Sequence, residues 1–159
     1  MHARTGIGYD SHRFAAGGPL RLGGIDIPSD RHLVGHSDAD AICHAVTDAI
    51  LGAACLGDIG RMFPDTDPAN RGRDSIDMLE RAMGRVRQEQ RLRVEHVDIT
   101  VIVESPKIGP YRDAICGRIA EALGIPAGHV NVKAKTNEGM GWIGRGEGLA
   151  CIASATLMP

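Results

Sequence analysis

The sequence is poor in aromatic residues, has no excess of charge of either sign, and contains no long apolar run. Aromatic side chains make up 3% of its 159 residues, so a hydrophobic core must be built from aliphatic side chains. The formal net charge of -2 gives no case for nucleic-acid binding or a basic membrane patch. No apolar stretch is long enough to span a bilayer, and no apolar signal segment begins the chain. We therefore expect a cytoplasmic protein.

The cysteines also lack a recognisable pattern. None of the four, Cys43, Cys55, Cys116 and Cys151, forms a C-x-x-C pair, and each lies in an apolar, periodic stretch. This favours reduced core residues over disulfides or zinc ligands. If zinc is present, histidines and carboxylates must hold it.

Hydrophobic periodicity predicts strands that alternate with three helices. The helices are predicted from Asp38 to about Leu56, from Asp74 to Gln90, and from Pro110 to Gly124, with Ser37 or Asp38 capping the first helix and Gly57 ending it. The predicted strands are Thr5 to Tyr9, Leu20 to Leu22 paired with Ile25 to Ile27, Val94 to Val103, Val130 to Ala134, and Leu149 to Leu157. The expected fold class is α/β (α+β): one domain, residues 1–159, with one mostly β sheet packed on three helices.

A candidate metal site begins just past the first predicted strand. Asp10 and His12 are two residues apart, so in extended chain their side chains point the same way. A carboxylate oxygen and an imidazole nitrogen are ligands that zinc accepts. Gly6 and Gly8 share that face, and we expect them to leave room for something bulky.

The third ligand is sought on the helix from Asp38. Asp40, His44 and Asp48 follow one another at i, i+4 and i+8, a row that by itself is typical of a solvated polar face. Thr47 and Leu51 on the same side, and the cluster His36-Ser-Asp-Ala-Asp40 at its start, favour a site instead. Asp10, His12 and His44 would leave the fourth zinc position open, as catalysis requires.

Two further segments have both a functional and a plain interpretation. Gly57 to Asp67 is either a helix stop with a turn-rich loop or a binding loop that offers carboxylates and glycine amides. Lys133 to Gly139 is either an ordinary polar strand end or a phosphate site, with Glu138 holding a magnesium ion.

One glycine motif is set aside. Residues 139–144 match G-x-G-x-x-G, but the segment leads into a strand rather than opening a long helix, so a dinucleotide site is not predicted. No nucleophile motif such as G-x-S-x-G and no Walker A motif is present.

Four motifs together resemble the 2-C-methyl-D-erythritol 2,4-cyclodiphosphate synthase family. They are Asp10-Ser-His12, His36-Ser-Asp-Ala-Asp-x-x-x-His44, Gly57-Asp-Ile-Gly-x-x-Phe-Pro-Asp-Thr-Asp67 and Gly144-Arg-Gly-Glu-Gly148. The resemblance covers essentially the whole chain. It implies a homotrimer with active sites between subunits, and one zinc per subunit on Asp10, His12 and His44. It further implies Mg²⁺ or Mn²⁺ with the substrate diphosphate, and a cytidine diphosphate substrate that loses CMP as it cyclises.

The resemblance also implies roles for individual residues. His36 and Thr136 match positions that steady the transition state, and Ser37 with Phe63, Pro64, Asp65, Thr66 and Asp67 matches the methylerythritol phosphate pocket. Asp58 and Gly60 match nucleotide-ribose or sugar-hydroxyl contacts, and Ile59 between them is an expected substrate contact. Val103, Glu104, Ser105, Pro106, Lys107, Ile108 and Gly109 match the cytosine-binding turn. Lys135, Asn137, Glu138, Trp142 and Arg145 complete the expected substrate contacts, with Trp142 and Asn137 departing from the residues usual in the family.

The resemblance leaves some questions open. Tyr9, Arg145 and Glu147 match positions around a central channel that is thought to take isoprenoid diphosphates in some relatives. Two alternatives to the cyclising enzyme remain: a zinc phosphohydrolase of a nucleotide diphosphate substrate, and a non-catalytic trimer that binds isoprenoid diphosphates around a structural zinc.

Overall fold

The computed structural model describes residues 2–159 and contains a five-stranded mixed sheet, a separate hairpin and five helices. The sheet strands are β1 (Arg4–Ala16), β4 (Arg31–Leu33), β5 (Arg93–Ile102), β6 (Val130–Lys135) and β7 (Gly148–Met158), in the order β4-β1-β7-β5-β6, and the hairpin joins β2 (Leu20–Leu22) to β3 (Ile25–Ile27). The helices are α1 (Ala41–Ala53), α2 (Ile59–Met62), α3 (Ser75–Gln90), α4 (Arg112–Leu123) and α5 (Gly141–Gly144). A small α/β domain is confirmed, but the hairpin forms a second sheet and α2 and α5 were not expected.

The helices cover one face of the sheet, and buried and partly exposed side chains accordingly alternate along the strands. On β5, Val97, Ile99 and Val101 are fully buried, whereas Asp98 and Thr100 between them are only half-buried. Only the β5–β6 pair is parallel; β7 is antiparallel to both β1 and β5. The core is therefore a single aliphatic layer between the sheet and α1, α3 and α4, as the scarcity of aromatic residues requires.

Gly6 and Gly8 leave room for a bulky neighbour, as predicted, and that neighbour is helix α1 rather than a ligand. A Cβ atom on Gly8 would lie 1.8 Å from the Ala45 carbonyl oxygen, and one on Gly6 would lie 2.1 Å from that of Ala49. The space is filled by the backbone of α1, which packs directly on β1. The two glycines set the distance between strand and helix.

Strand β1 is much longer than predicted. It continues to Ala16, because its pairing with β7 runs from Arg4 opposite Leu157 to Arg13 opposite Gly148. Asp10 and His12 therefore lie inside the strand rather than past its end. They still share one face, as alternation requires.

Helix α1 begins later and ends earlier than predicted. Its N-cap is Asp40, not Ser37 or Asp38, and the fully buried carboxylate accepts hydrogen bonds from the backbone N–H groups of Cys43, Gly23 and Gly24. Asp40 thus ties the hairpin to the helix and does not belong to a polar row. The helix ends at Ala53, before Gly57, since Cys55 has a left-handed φ of 58°. Cys55 is exposed rather than a core residue.

The other two long helices follow the predicted pattern closely. Helix α3 begins after its cap Asp74, whose side chain accepts from the Ile76 N–H. Pro110 lies in a 3-10 turn (Gly109–Tyr111) that leads into α4, and Gly124 ends α4 in the left-handed conformation. Among residues 2–159, no helix has the length and apolar character needed to cross a membrane.

Candidate functional site

Asp10, His12 and His44 converge on one point. The Asp10 Oδ2 atom lies 2.8 Å from His12 Nε2 and 3.1 Å from His44 Nδ1, and the two nitrogens are 3.4 Å apart. Donor atoms of a tetrahedral site with zinc bonds near 2.0 Å are about 3.3 Å apart. One carboxylate oxygen and two imidazole nitrogens at these separations therefore fit a zinc ion and leave its fourth position open.

The three side chains interact strongly in the absence of metal. Burial alone would raise the pKa of Asp10, but the neighbouring imidazoles of His12 and His44 outweigh it and lower that pKa. Burial would lower the pKa of His12, but the hydrogen bond and the charge of Asp10 raise it. The site thus places a carboxylate beside two imidazoles, a set of donor atoms suited to a divalent cation.

Each histidine also makes polar contacts through the ring nitrogen that faces away from Asp10. His12 Nδ1 lies 2.8 Å from the carbonyl oxygen of Val34, which directs Nε2 towards Asp10. His44 Nε2 lies 2.8 Å from Ser75 Oγ and 3.1 Å from Ser37 Oγ. Such contacts orient imidazole ligands in metal sites.

A cavity opens beside this cluster and contains several of the predicted substrate residues. It is lined by His12, His36, Ser37, His44, Ile59, Gly60, Phe63, Asp65, Asn70 and Met78. His36 is exposed at its rim, and Phe63 is nearly buried. The structure therefore brings His36, Ser37 and the loop after α1 close to Asp10, His12 and His44.

The loop carboxylates differ in what they do. Asp58 caps α2 by accepting from the Arg61 N–H, and Asp67 caps the 3-10 turn Pro68–Asn70 by accepting from the Ala69 N–H. Pro64 accepts from the Asn70 side chain through its carbonyl, Thr66 is an exposed turn residue, and Asp65 faces the cavity.

Asp48, the last member of the predicted polar row, anchors this loop. Its Oδ1 atom accepts a hydrogen bond of 2.7 Å from the Ile59 N–H at the start of α2. Burial raises the pKa of Asp48. The row Asp40, His44 and Asp48 is therefore not a solvated face: Asp40 caps α1, His44 belongs to the candidate metal site, and Asp48 anchors the loop.

Most of the predicted cytosine-turn residues, with Lys135 and Thr136, surround a second cavity at the end of the parallel pair β5–β6. It is lined by Val103, Pro106, Lys107, Ile108, Gly109, Ala134, Lys135 and Thr136. Ser105 is exposed beside it, and Glu104 accepts hydrogen bonds from the Asn137 and Gly139 N–H groups. The two cavities have no lining residue in common, so one chain divides the predicted substrate contacts between two places.

Glu138, Trp142 and Arg145 lie in the segment that follows β6. Glu138 is exposed with a left-handed φ of 53°, and its N–H contacts Thr136 Oγ1. Trp142 borders a third cavity together with Ser11, His12, Arg13 and Glu147. Arg145 forms an ion pair of 2.7 Å with Glu147.

Some residues at the site were missed by the sequence analysis. Asn70 and Met78 line the first cavity, and Ser75 contacts His44. Asn70 ends the short turn capped by Asp67, and Ser75 is the first residue after the helix cap Asp74, so both appear in the sequence as ordinary turn and helix-start residues. No spacing rule links them to His44, since the contact depends on how α3 packs against α1.

Known proteins resemble this chain over nearly its whole length. The YgbB family matches residues 3–158. A curated 2-C-methyl-D-erythritol 2,4-cyclodiphosphate synthase from Gemmatimonas aurantiaca is 66% identical over 98% of this chain and 93% of its own length.

Solved structures show the same similarity. A 2C-methyl-D-erythritol-2,4-cyclodiphosphate synthase in its CDP-bound form has 37% identity and a TM-score of 0.88, covering 98% of this chain and all of its own. The bifunctional IspDF from Campylobacter jejuni has 41% identity and a TM-score of 0.94 over 98% of this chain, but this chain spans only 42% of that longer protein. The chain therefore belongs to the YgbB family, the family of the 2-C-methyl-D-erythritol 2,4-cyclodiphosphate synthases.

Proposed function

We propose that the chain converts 4-diphosphocytidyl-2-C-methyl-D-erythritol 2-phosphate to 2-C-methyl-D-erythritol 2,4-cyclodiphosphate and CMP, in non-mevalonate isoprenoid biosynthesis. The chain is thus a lyase that acts on a phosphorus–oxygen bond. The observation that carries the proposal is the convergence of Asp10, His12 and His44 beside a cavity lined by His36 and Ser37. The names of the curated relatives support the substrate class.

The reaction needs no group from the protein as nucleophile. An oxygen of the substrate's 2-phosphate forms a bond to the β-phosphorus, the bond from that phosphorus to the oxygen bridging it to the α-phosphate breaks, and this oxygen leaves with CMP. No water is consumed. What the protein must supply is positioning and neutralisation of charge.

The chain's own residues suit those two tasks. Asp10, His12 and His44 would hold a zinc ion, which when bound supplies a Lewis acid for a phosphate oxygen. His36 at the rim of the first cavity and Thr136 in the second would steady the transition state by hydrogen bonding. Lys135 would bind phosphate, and Glu138 would hold Mg²⁺ or Mn²⁺ on the diphosphate.

The other contacts follow from the two cavities. Ser37 and the loop from Phe63 to Asp67 would bind the methylerythritol phosphate, and Asp58, Ile59 and Gly60 would bind sugar hydroxyls. The turn from Val103 to Gly109 would hold cytosine largely through backbone groups. Trp142 and Arg145 would border the same substrate from the segment after β6.

The division into two cavities supports active sites shared between subunits of a homotrimer. The sheet face away from the helices supports the same assembly, because Ile7, Tyr9 and Ile152 are 73%, 56% and 42% exposed there and Tyr9 lies directly opposite Ile152. Large apolar side chains clustered on an open sheet face are typical of an interface. A cytoplasmic location, and binding of isoprenoid diphosphates in a channel near Tyr9, Arg145 and Glu147, belong to the same proposal.

The assembly can be measured directly. Sedimentation velocity should give a particle of three times the chain mass of 16.9 kDa. Ile7→Arg should shift it towards the monomer, because it places a charge in the proposed apolar interface. The matched change Gln88→Arg, on the exposed side of α3, should leave the trimer intact. A monomeric wild-type protein would contradict the assembly.

The reaction itself is tested by its products. With zinc and magnesium present, the cytidyl substrate should yield CMP and the cyclic diphosphate in equal amounts. In water labelled with oxygen-18, neither product should acquire the label, since no water enters the reaction. Open-chain methylerythritol 2,4-bisphosphate, with the label in it or in CMP according to which phosphorus water attacks, would instead identify a phosphohydrolase, and absence of CMP would rule out both.

A further inference from the structure

His44 is the ligand whose orientation depends most on distant parts of the chain. It lies on α1, it turns Nδ1 towards Asp10 and His12, and its other nitrogen faces Ser75 Oγ at 2.8 Å. Ser75 is the first residue of α3, 31 positions further along the chain. The ring is therefore held between two helices rather than by its own helix alone.

Ser75 can act only as an acceptor towards this ring. Its hydroxyl donates to Asp38 Oδ1, and its backbone N–H donates 3.0 Å to Asp38 Oδ2. The hydroxyl has a single proton, which Asp38 takes, so a lone pair remains for the N–H at His44 Nε2. The ring is thereby fixed with its proton on Nε2 and a lone pair on Nδ1, which is the form that binds a metal through Nδ1.

Ser37 is the competing partner and is less suited to this role. Its Oγ atom is 3.1 Å from His44 Nε2, and it also accepts from the Ala39 N–H at 3.3 Å. Ser37 is half-buried at the cavity, whereas Ser75 is fully buried. The shorter contact, the burial and the defined proton direction all favour Ser75.

We propose that Ser75 and Asp38 are positioning residues for His44, which fix the tautomer and direction of this imidazole for the metal through the chain Asp38–Ser75–His44. The proposal rests on zinc binding at Asp10, His12 and His44. It differs from a purely structural role, in which Asp38 would merely accept from the Ser75 N–H at the start of α3, next to the cap Asp74. That N–H does not depend on the Ser75 side chain, so the two roles can be separated.

Ser75→Ala removes the hydroxyl but keeps the hydrogen bond from the backbone N–H of residue 75 to Asp38. We expect its zinc affinity, measured by competition with a chromophoric chelator, to fall 10- to 100-fold, the range found when such outer contacts to metal-bound histidine are removed. Ser75→Thr, which keeps the hydroxyl, should restore affinity to within about threefold of wild type on the same basis. In nitrogen-15 NMR of the zinc-loaded protein, the His44 Nε2–H proton should exchange with water faster in Ser75→Ala.

Thr47→Val is the matched control. It removes another fully buried hydroxyl, on the same helix as His44, whose partner is the Cys43 carbonyl. We expect its zinc affinity to match that of wild type. Urea unfolding of all metal-free variants separates loss of zinc affinity from loss of stability.

The outcomes distinguish this inference from the proposed function. If wild type binds no zinc, the metal site itself fails. If wild type binds zinc and Ser75→Ala binds it equally well, or if Thr47→Val loses as much, the positioning role is overturned. Should Ser75→Ala not fold, Asp38→Asn, whose amide oxygen can still accept from the Ser75 N–H, must lower zinc affinity for the proposal to stand.

Discussion

Replacement of His44 by alanine is expected to abolish zinc binding and to lower the rate of CMP release by about 1000-fold or more. Metal polarisation of a phosphoryl oxygen contributes several kcal/mol, and each 1.36 kcal/mol corresponds to about a factor of ten in rate. His44 provides one of three donor atoms that lie within 3.4 Å of one another. With two donors left, the site can no longer enclose the ion.

The measurement is the zinc content of the purified protein, by mass spectrometry after dialysis, alongside the rate of CMP release. His2→Ala is the control, because His2 is exposed near the start of the chain and should retain both zinc and activity. Circular dichroism checks that His44→Ala is folded. A folded variant with the zinc content of wild type would refute the ligand assignment.

Gly8→Ala is expected to destabilise the protein strongly and to disturb the metal site with it. The new Cβ atom would lie 1.8 Å from the Ala45 carbonyl oxygen and 2.9 Å from the Ala49 N atom, both of them backbone atoms that cannot rotate away. Helix α1 must move off the sheet, and overpacking of this kind costs about 1–3 kcal/mol, occasionally more. Since α1 carries His44, zinc affinity should fall as well.

The midpoint of urea unfolding and the zinc affinity together check this prediction. The control is Gly52→Ala, on the same helix, where a new Cβ atom meets nothing within 4 Å. There alanine should raise the free energy of unfolding by up to about 1 kcal/mol, because it favours helix. A midpoint for Gly8→Ala equal to that of wild type would contradict the close packing of strand and helix.

That Asp10 and His12 share a face could be predicted because it depends on local periodicity, whereas their contact with His44 depends on how α1 packs on β1 and was indicated by the family resemblance. Residues two apart in a strand share a face, and that relation survives even though the strand is longer than expected. The extent of β1 could not be predicted, since it is set by pairing with β7 nearly 140 residues later in the chain. Binding of zinc by these residues remains a prediction.

The predictions for Gly6, Gly8 and Asp40 were incomplete for one reason: the sequence does not show which part of the chain each residue contacts. Gly6 and Gly8 face the backbone of α1, and Asp40 accepts from two N–H groups of a hairpin some 16 residues earlier. A sequence shows that a position is small or polar, but it does not show the surface it meets. The separation of the substrate contacts into two cavities was invisible for the same reason.

Because β1 pairs continuously with β7, successive side chains of β1 point to opposite faces of the sheet, and only every second residue can reach the candidate metal site. Asp10 and His12 face α1, whereas Tyr9 and Ser11 face the opposite side of the sheet. Insertion of one residue between Gly8 and Tyr9 would exchange these faces, so that Tyr9 and Ser11 would take the places of Asp10 and His12. Loss of Tyr9 would bring Ser11 and Arg13 to those places instead. We therefore expect the length of this segment to matter to the site as much as the identity of Asp10 and His12, because a shift of a single residue turns both side chains away from α1.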